Sequence, residues 1–255
     1  SASGPGETQM TQLDRYGVLQ IQATGAGDLT GALIDSNKPI AVFAGAECVN
    51  IPAALDYCDH LQEQMLPVKM WSNEIIAVHA PVRGTESFHY RVLAAEDQTV
   101  IHTAPPLPGT PAVLDRGEWF SWVSKAGETV HLTSEAPILA VQYLEGGDLV
   151  GLGDPAMVQV IAPEHFARSY DFVTPSSYSH QYAQLLRPHG APNVWVDDVL
   201  VAPWTPVAGG YEVAQLAVAP GSHRATSSTS FGLSVFGYGE AASYAFPGGY
   251  SGAGL

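Results

Sequence analysis

The chain has 255 residues, 46% of them apolar and only 14% charged, with 25 Asp and Glu against 10 Lys and Arg for a formal charge of −15. A field of that sign repels phosphate, which argues against a nucleic-acid partner and against docking on an anionic membrane surface. No run approaches the roughly 20 apolar residues of a membrane span, and 26 Gly with 19 Pro suit a turn-rich all-β protein of two or three small domains.

In chain order, residues 1–15 read as a polar, flexible leader with neither the basic nor the apolar region of a signal peptide. The chain is therefore expected to be a mature form or an excised piece. Residues 16–22 alternate apolar and polar as a half-buried strand does. Residues 29–34 and 39–43 read as two more strands around a turn at Ser36-Asn37-Lys38. These make a partial β module over 16–66, short of a closed sandwich. Residues 52–65 are the best helical stretch, because Leu55, Cys58, Leu61 and Met65 recur at three- and four-residue spacing. The two cysteines, Cys48 and Cys58, suit one local disulfide, which would restrain the unfolded chain by roughly 2.5–3 kcal/mol. The alternative is a pair of buried, reduced thiols. A structural zinc site would need four ligands.

From residue 67 the chain repeats itself. Residues 67–147 and 163–241 pass the same landmarks in the same order. A Pro (Pro67, Pro163) leads to an aromatic (Trp71, Phe166) and a short apolar strand (Ile75 to Val78; Phe172-Val173). A strand introduced by His follows (His89 to Leu93; His180 to Leu186). Then come an aromatic strand start (Trp119, Tyr211), a Gly turn (Gly127, Gly221) and a closing strand (137–143; 231–238). Residues 27–30 and 36–43 look like a third copy of the closing half. Within the second copy, 194–201 reads as strand, tight turn, strand about Asp197-Asp198. A period of about 95 residues fits tandem small β domains better than a solenoid. The division is a leader 1–15, a partial module 16–66, and sandwich modules 67–162 and 163–255. The Gly-rich tail at 247–254 reads as a loose end.

Chemistry is sparse. There is no HExxH, no G-x-S-x-G, no P-loop and no glycine fingerprint opening a helix. His79 and His89 flank one loop, and Cys58-Asp59-His60 sets a thiol beside a carboxylate and an imidazole, but sequence neighbours seldom face each other productively. Acidic residues at turns (Asp97, the group Glu145, Asp148 and Asp154, and the pair Asp197-Asp198) offer oxygen ligands for Ca²⁺, against the simpler role of Asp in bonding its own turn backbone. No other cofactor is expected. Trp119, Trp122, Trp195, Trp204, Tyr211, Tyr238, Tyr244 and Tyr250 either pack the cores or anchor a ligand.

The run from Pro39 through Cys48 to Pro52, followed by Cys58-Asp59-His60 and Pro67, resembles the signature of the IgG Fc-binding protein N-terminal domain family. So do Tyr90-Arg91-Val92-Leu93 with Glu96-Asp97, Gly153-Asp154-Pro155 with Met157, Phe236-Gly237-Tyr238-Gly239, and Ser243-Tyr244 with Pro247-Gly248-Gly249. The resemblance spans about residues 16–250. It implies an extracellular, non-enzymatic adhesion or recognition module that binds a protein or glycan. In animals such domains sit in large mucus and adhesion proteins to which antibody Fc binding is attributed. The resemblance carries no binding residue over to this chain. The expected fold is all-β, with tandem β-sandwich modules and one short helix near the cysteine pair. Two other functions are weighed. One is a subunit of an extracellular fibre, a homo-oligomer or filament built by a neighbour's strand completing the partial module. The other is a carbohydrate or ester hydrolase, which needs two carboxylates or a Ser–His pair to converge.

Overall fold

The computed structural model describes residues 6–25 and 27–251. Its first regular element is β1 (Phe43–Val49), which pairs antiparallel with β2 (Asp59–Gln64). Cys48 and Cys58 are joined in a disulfide across this hairpin, with Cα atoms 5.1 Å apart. The strands expected over 16–22 and 29–34 do not form, and 39–43 contributes only Phe43. Alternation needs a neighbouring ladder before it becomes a strand. Among the described residues these segments have none, and Tyr16, Val18 and Ile21 face solvent. The third copy of the closing half is thereby overturned.

The helix expected over 52–65 is also overturned. Residues 52–57 turn, and β2 is extended. Leu61 is buried against Val141 and Met157 while His60 and Gln62 face out, a period of two. Gln159 locks the extended form, since its Nε2 donates to Gln64 O at 2.8 Å and its Oε1 accepts from Leu66 N at 3.1 Å. The short helical element near the cysteine pair is a single 3-10 turn, Val68–Met70.

Two sheets follow, and they share one plan. The first holds β3 (Ser72–Val78), β4 (Phe88–Ala94), β5 (Thr99–Ala104), β6 (Ala112–Leu114), β7 (Trp119–Ser124), β8 (Thr129–Leu144) and β9 (Ala156–Gln159). The second holds β10 (Ala167–Thr174), β11 (His180–Pro188), β12 (Val194–Val196), β13 (Val199–Leu200), β14 (Thr205–Val207), β15 (Tyr211–Ala217), β16 (Gly221–Tyr238) and β17 (Ser243–Pro247). Strand order is β6-β5-β8-β4-β7 in one and β13-β12-β16-β11-β15-β14 in the other. In each, a long closing strand does double duty. The first half of β8 pairs β3 and β5, and its second half pairs β4 and β9. The first half of β16 pairs β10 and β12, and its second half pairs β11 and β17. Strands of 16 and 18 residues shared in this way curl each sheet into two sandwich-like layers.

Ile75, Tyr90, Ile101 and Leu132 centre the first core, and Phe172, Leu185 and Phe231 the second. The cores meet. Phe236 and Tyr238, on β16, pack into the first core, and Tyr238 Oη donates to Pro81 O at 2.9 Å. Ile76 and Val78 form a third cluster with Ile161, Phe166, Leu186 and Val213. The unbroken apolar run from Ile75 to Val78 follows from this: odd residues serve one core and even residues the junction, as in a strand covered on both faces. The tail is not loose over 247–251. Gly248 N donates to Leu233 O, Ser251 N donates to His165 O, and Tyr250 packs on the junction cluster. Residues 252–254 of that expectation, and 1–5 of the leader, lie outside the described residues.

Candidate functional site

The hairpin β12–β13 turns through two residues, Asp197 and Asp198, at φ 50° and 63°. These left-handed values match the twist of a tight hairpin. Asp197 then ties the hairpin to β16. Its Oδ1 accepts from Arg224 N at 2.9 Å and its Oδ2 meets His223 Nδ1 at 2.7 Å. The hydrogen bond from His223 holds the Asp197 carboxyl below the usual range, with the Arg224 N–H adding to it. His223 Nε2 faces Ala219 O at 2.7 Å and Thr174 Oγ1 at 3.2 Å. An acid, an imidazole and a hydroxyl thus stand in line. Thr174 is buried, however, and its hydroxyl donates to Ala219 O at 2.7 Å, so the row pins three strands rather than presenting a nucleophile.

What the pinned hairpin presents is an outer face. Trp195 lies opposite Leu200 on one side and Thr226 on the other. Ser169 is also opposite Thr226, so alternation puts Val173 and Asp171 of β10 on the same face. Trp195 is 37% exposed, Leu200 51% and Val173 61%. Arg224 Nε and Asp171 Oδ1, 3.8 Å apart, supply a polar margin. β13 ends its sheet, which leaves one edge open.

The other aromatics singled out in the sequence are engaged within the chain. Trp119 carries the Arg91 guanidinium over its ring at 3.9 Å, and Asp28 Oδ2 holds Arg91 Nη1 at 2.9 Å. Trp122 stacks on buried Tyr90 at 4.7 Å. Trp204 lies under Arg187 and donates to Val201 O. Tyr244 Oη donates to Gln181 Oε1. Among the described residues no ring or cation stacks on Trp195.

The acidic residues singled out in the sequence do not gather as one set. Asp97 accepts from Arg116 N at 3.0 Å, Asp197 serves the hairpin, and Asp198 is exposed at its turn. Asp148 does act on Asp154 by charge repulsion, and so does Asp59. Asp59 drew notice in the sequence only as a neighbour of Cys58. Burial pushes the Asp154 carboxyl up, with repulsion from Asp59 and Asp148 added, against the Gly147 N–H and Arg83. His79 and His89 do not pair. His79 Nδ1 meets Ala80 O at 2.8 Å, and its Nε2 accepts from Gly127 N at 2.9 Å.

Glu63, unremarked in the sequence, sits where β2 meets β9. Its Oε1 accepts from Gln159 N at 3.1 Å, and burial raises its carboxyl to about 7 against the Gln159 and Gln64 N–H groups. A folded value above the unfolded one means that its stabilisation is complete below the unfolded value and is lost as pH rises through about 7. Urea melts at pH 5 and pH 8 should therefore differ by roughly 1–3 kcal/mol more in the parent chain than in Glu63→Gln. An equal difference in both would place the titration elsewhere.

Residues 1–237 match a protein-family model described as IgGFc binding protein. No curated protein and no solved structure matches the chain.

Proposed function

Because this chain belongs to the IgGFc binding protein family, and is thereby an extracellular, non-catalytic adhesion and recognition module, we propose that its ligand is a protein and that it docks on the outer face of β10, β12, β13 and β16. The observation that carries this reading is Trp195. No ring or cation stacks on it among the described residues, and unlike Trp71, whose Nε1 donates to Leu66 O, its indole makes no hydrogen bond there; it stands on a rigidly pinned hairpin beside two exposed aliphatic residues. A large, stiff side chain ringed by smaller contacts is the usual anchor of a protein interface. The polar margin of Arg224 and Asp171 supplies orientation.

The IgG Fc fragment is the first probe, since the family description names it, and a glycan array is the second. Trp195→Ala should weaken Fc binding about 30-fold or more while Trp119→Ala leaves it near the parent value. Equal binding by the parent and Trp195→Ala would overturn the face. Capture by glycans alone would overturn the protein ligand.

A second reading is self-assembly. Tyr16, Val18 and Ile21 offer apolar side chains to solvent on a segment without a ladder partner among the described residues, which is the form of a strand that completes a neighbour's sheet. Light scattering decides it. A mass steady near that of one chain across concentration opposes assembly, and a rising mass lost on trimming 1–22 supports it. The division into a leader 1–15, a partial module 16–66 and modules 67–162 and 163–255 is proposed on the same footing. The repeated strand order supports the last two units.

A further inference from the structure

We infer that the corner between the disulfide loop and the turn before β9 binds a hard divalent cation, Ca²⁺ by its chemistry, through Asp154 and the carbonyl oxygens of Asp56 and Tyr57, in the negative field of Asp59 and Asp148. Asp154 is only 6% exposed, and its Oδ1 has no hydrogen-bond partner among the described residues. A buried carboxylate oxygen left in that state is costly unless something positive faces it. Two backbone oxygens lie with it about the same glycine, Gly146. The position where a side chain on Gly146 would begin lies 3.6 Å from Asp154 Oδ1, 3.5 Å from Tyr57 O and 3.7 Å from Asp56 O. A β-carbon there would stand among three acceptors, and the glycine leaves the place open.

Charge sharpens the inference. Asp59 and Asp148 lie near enough to repel Asp154, and Arg83 is the cation that acts on it. Arg83 is already spent, however. Its Nε lies 3.4 Å from Glu86 Oε1, its Nη1 donates to Leu152 O, and its Nη2 donates to Glu145 O. Among the described residues no three His, Cys, Asp or Glu side chains form a metal cage by themselves. The site therefore leans on carbonyls, and mixed carboxylate and carbonyl oxygens from flexible loops are the ligands Ca²⁺ takes. Mg²⁺ demands a stricter octahedron, and zinc prefers nitrogen and sulfur. A bound cation would clamp the Cys48–Cys58 loop to the chain entering β9, the same corner where Gly146 N donates to Ile51 O.

The rival occupant is a proton on Asp154 donating to one of the carbonyls. Asp154→Asn separates the two, because an amide can donate as a protonated acid does but, being neutral, holds Ca²⁺ less tightly than a carboxylate. The full chain is stripped with EDTA at pH 7.5 and melted with and without about 5 mM CaCl₂, and Ca²⁺ is titrated calorimetrically into it. A site of the extracellular type binds at roughly 10⁻⁴–10⁻³ M. The expected result is one Ca²⁺ per chain and a melting temperature raised by about 3 °C or more. MgCl₂ should do less, Asp154→Asn should lose the response, and Asp97→Asn should keep it. No response in the parent chain overturns the proposal. So does an equal response in Asp154→Asn, or a parent chain that ignores Ca²⁺ and is matched in stability by Asp154→Asn.

Discussion

Arg83→Ala should lower the unfolding free energy by about 3–5 kcal/mol, seen as a lower urea midpoint with an unchanged slope. Arg83 and Glu86 are buried to 2% and 1% side-chain exposure. Glu86 also accepts from Arg83 N at 2.5 Å and Gly84 N at 2.7 Å, so its carboxylate is built into the loop between β3 and β4. The guanidinium meanwhile satisfies the Leu152 and Glu145 carbonyls at 2.9 and 2.7 Å and lies 5.0 Å from the centre of the Tyr238 ring. Its removal leaves a buried charge without a countercharge and two partly buried carbonyls without this donor. The effect should be larger than that of any exposed ion pair here, such as Arg224 with Asp171, which water screens. Arg83→Lys should recover only part of the loss, because one ammonium cannot reach Glu86, Leu152 and Glu145 with the geometry of the fork. A loss below about 1 kcal/mol in Arg83→Ala would mean that water replaces the guanidinium.

Phe236→Ala should cost a similar amount, about 3–5 kcal/mol, and leave a single unfolding transition. Phe236 belongs to the second sheet by hydrogen bonding, facing Tyr182 on one side and Ala245 on the other. Its side chain is 1% exposed within the core of the first sheet, beside Tyr238. A cavity at that place loosens both sheets at once. Of the five tryptophans, Trp71, Trp119 and Trp122 lie in or beside the first sheet and Trp195 and Trp204 in or beside the second. Coincident fluorescence curves after mutating each set in turn are the expected outcome. Two separated transitions would show that the junction of Ile76, Val78, Phe166, Leu186 and Val213 does not couple the modules.

Much of this architecture was legible in the chain. The repeated landmarks of 67–147 and 163–241 correspond to a repeated strand order, and the hairpin about Asp197-Asp198 turns where its residues say it should. The misses have one cause. The stripe Leu55, Cys58, Leu61 and Met65 satisfies a helical period, yet the burial of Leu61 with the exposure of its neighbours satisfies a strand period as well. Only the docking of β2 on β9 through Gln159 chooses between them. Residues 16–22 alternate as a strand should, but a strand exists only against a partner. The closing strands looked short because their first halves, such as Thr129 to Ala136, carry polar residues. They become strand by pairing with β3 and β5.

The candidate surface shows the same division. The turn-rich composition and the repeat determined by themselves an all-β chain, and the runs from Pro39 to Pro52 and at Cys58-Asp59-His60 carried the resemblance to the IgGFc binding protein family, because local patterning is a property of the sequence. That Trp195 faces outward with no ring or cation upon it was decided by tertiary structure alone. Trp122 and Trp195 both sit on strands, but register turns one onto Tyr90 and the other outward, and a shift of one residue would exchange face for core. Arg91, held by Asp28 63 residues away, lies over the Trp119 ring, and Asp154 and the carbonyls of Asp56 and Tyr57, nearly a hundred residues apart, come to the same glycine, Gly146. No local rule contains such meetings. They arise when the closing strands bring distant segments to one place, and burial then sets what each charge and ring must find as a partner.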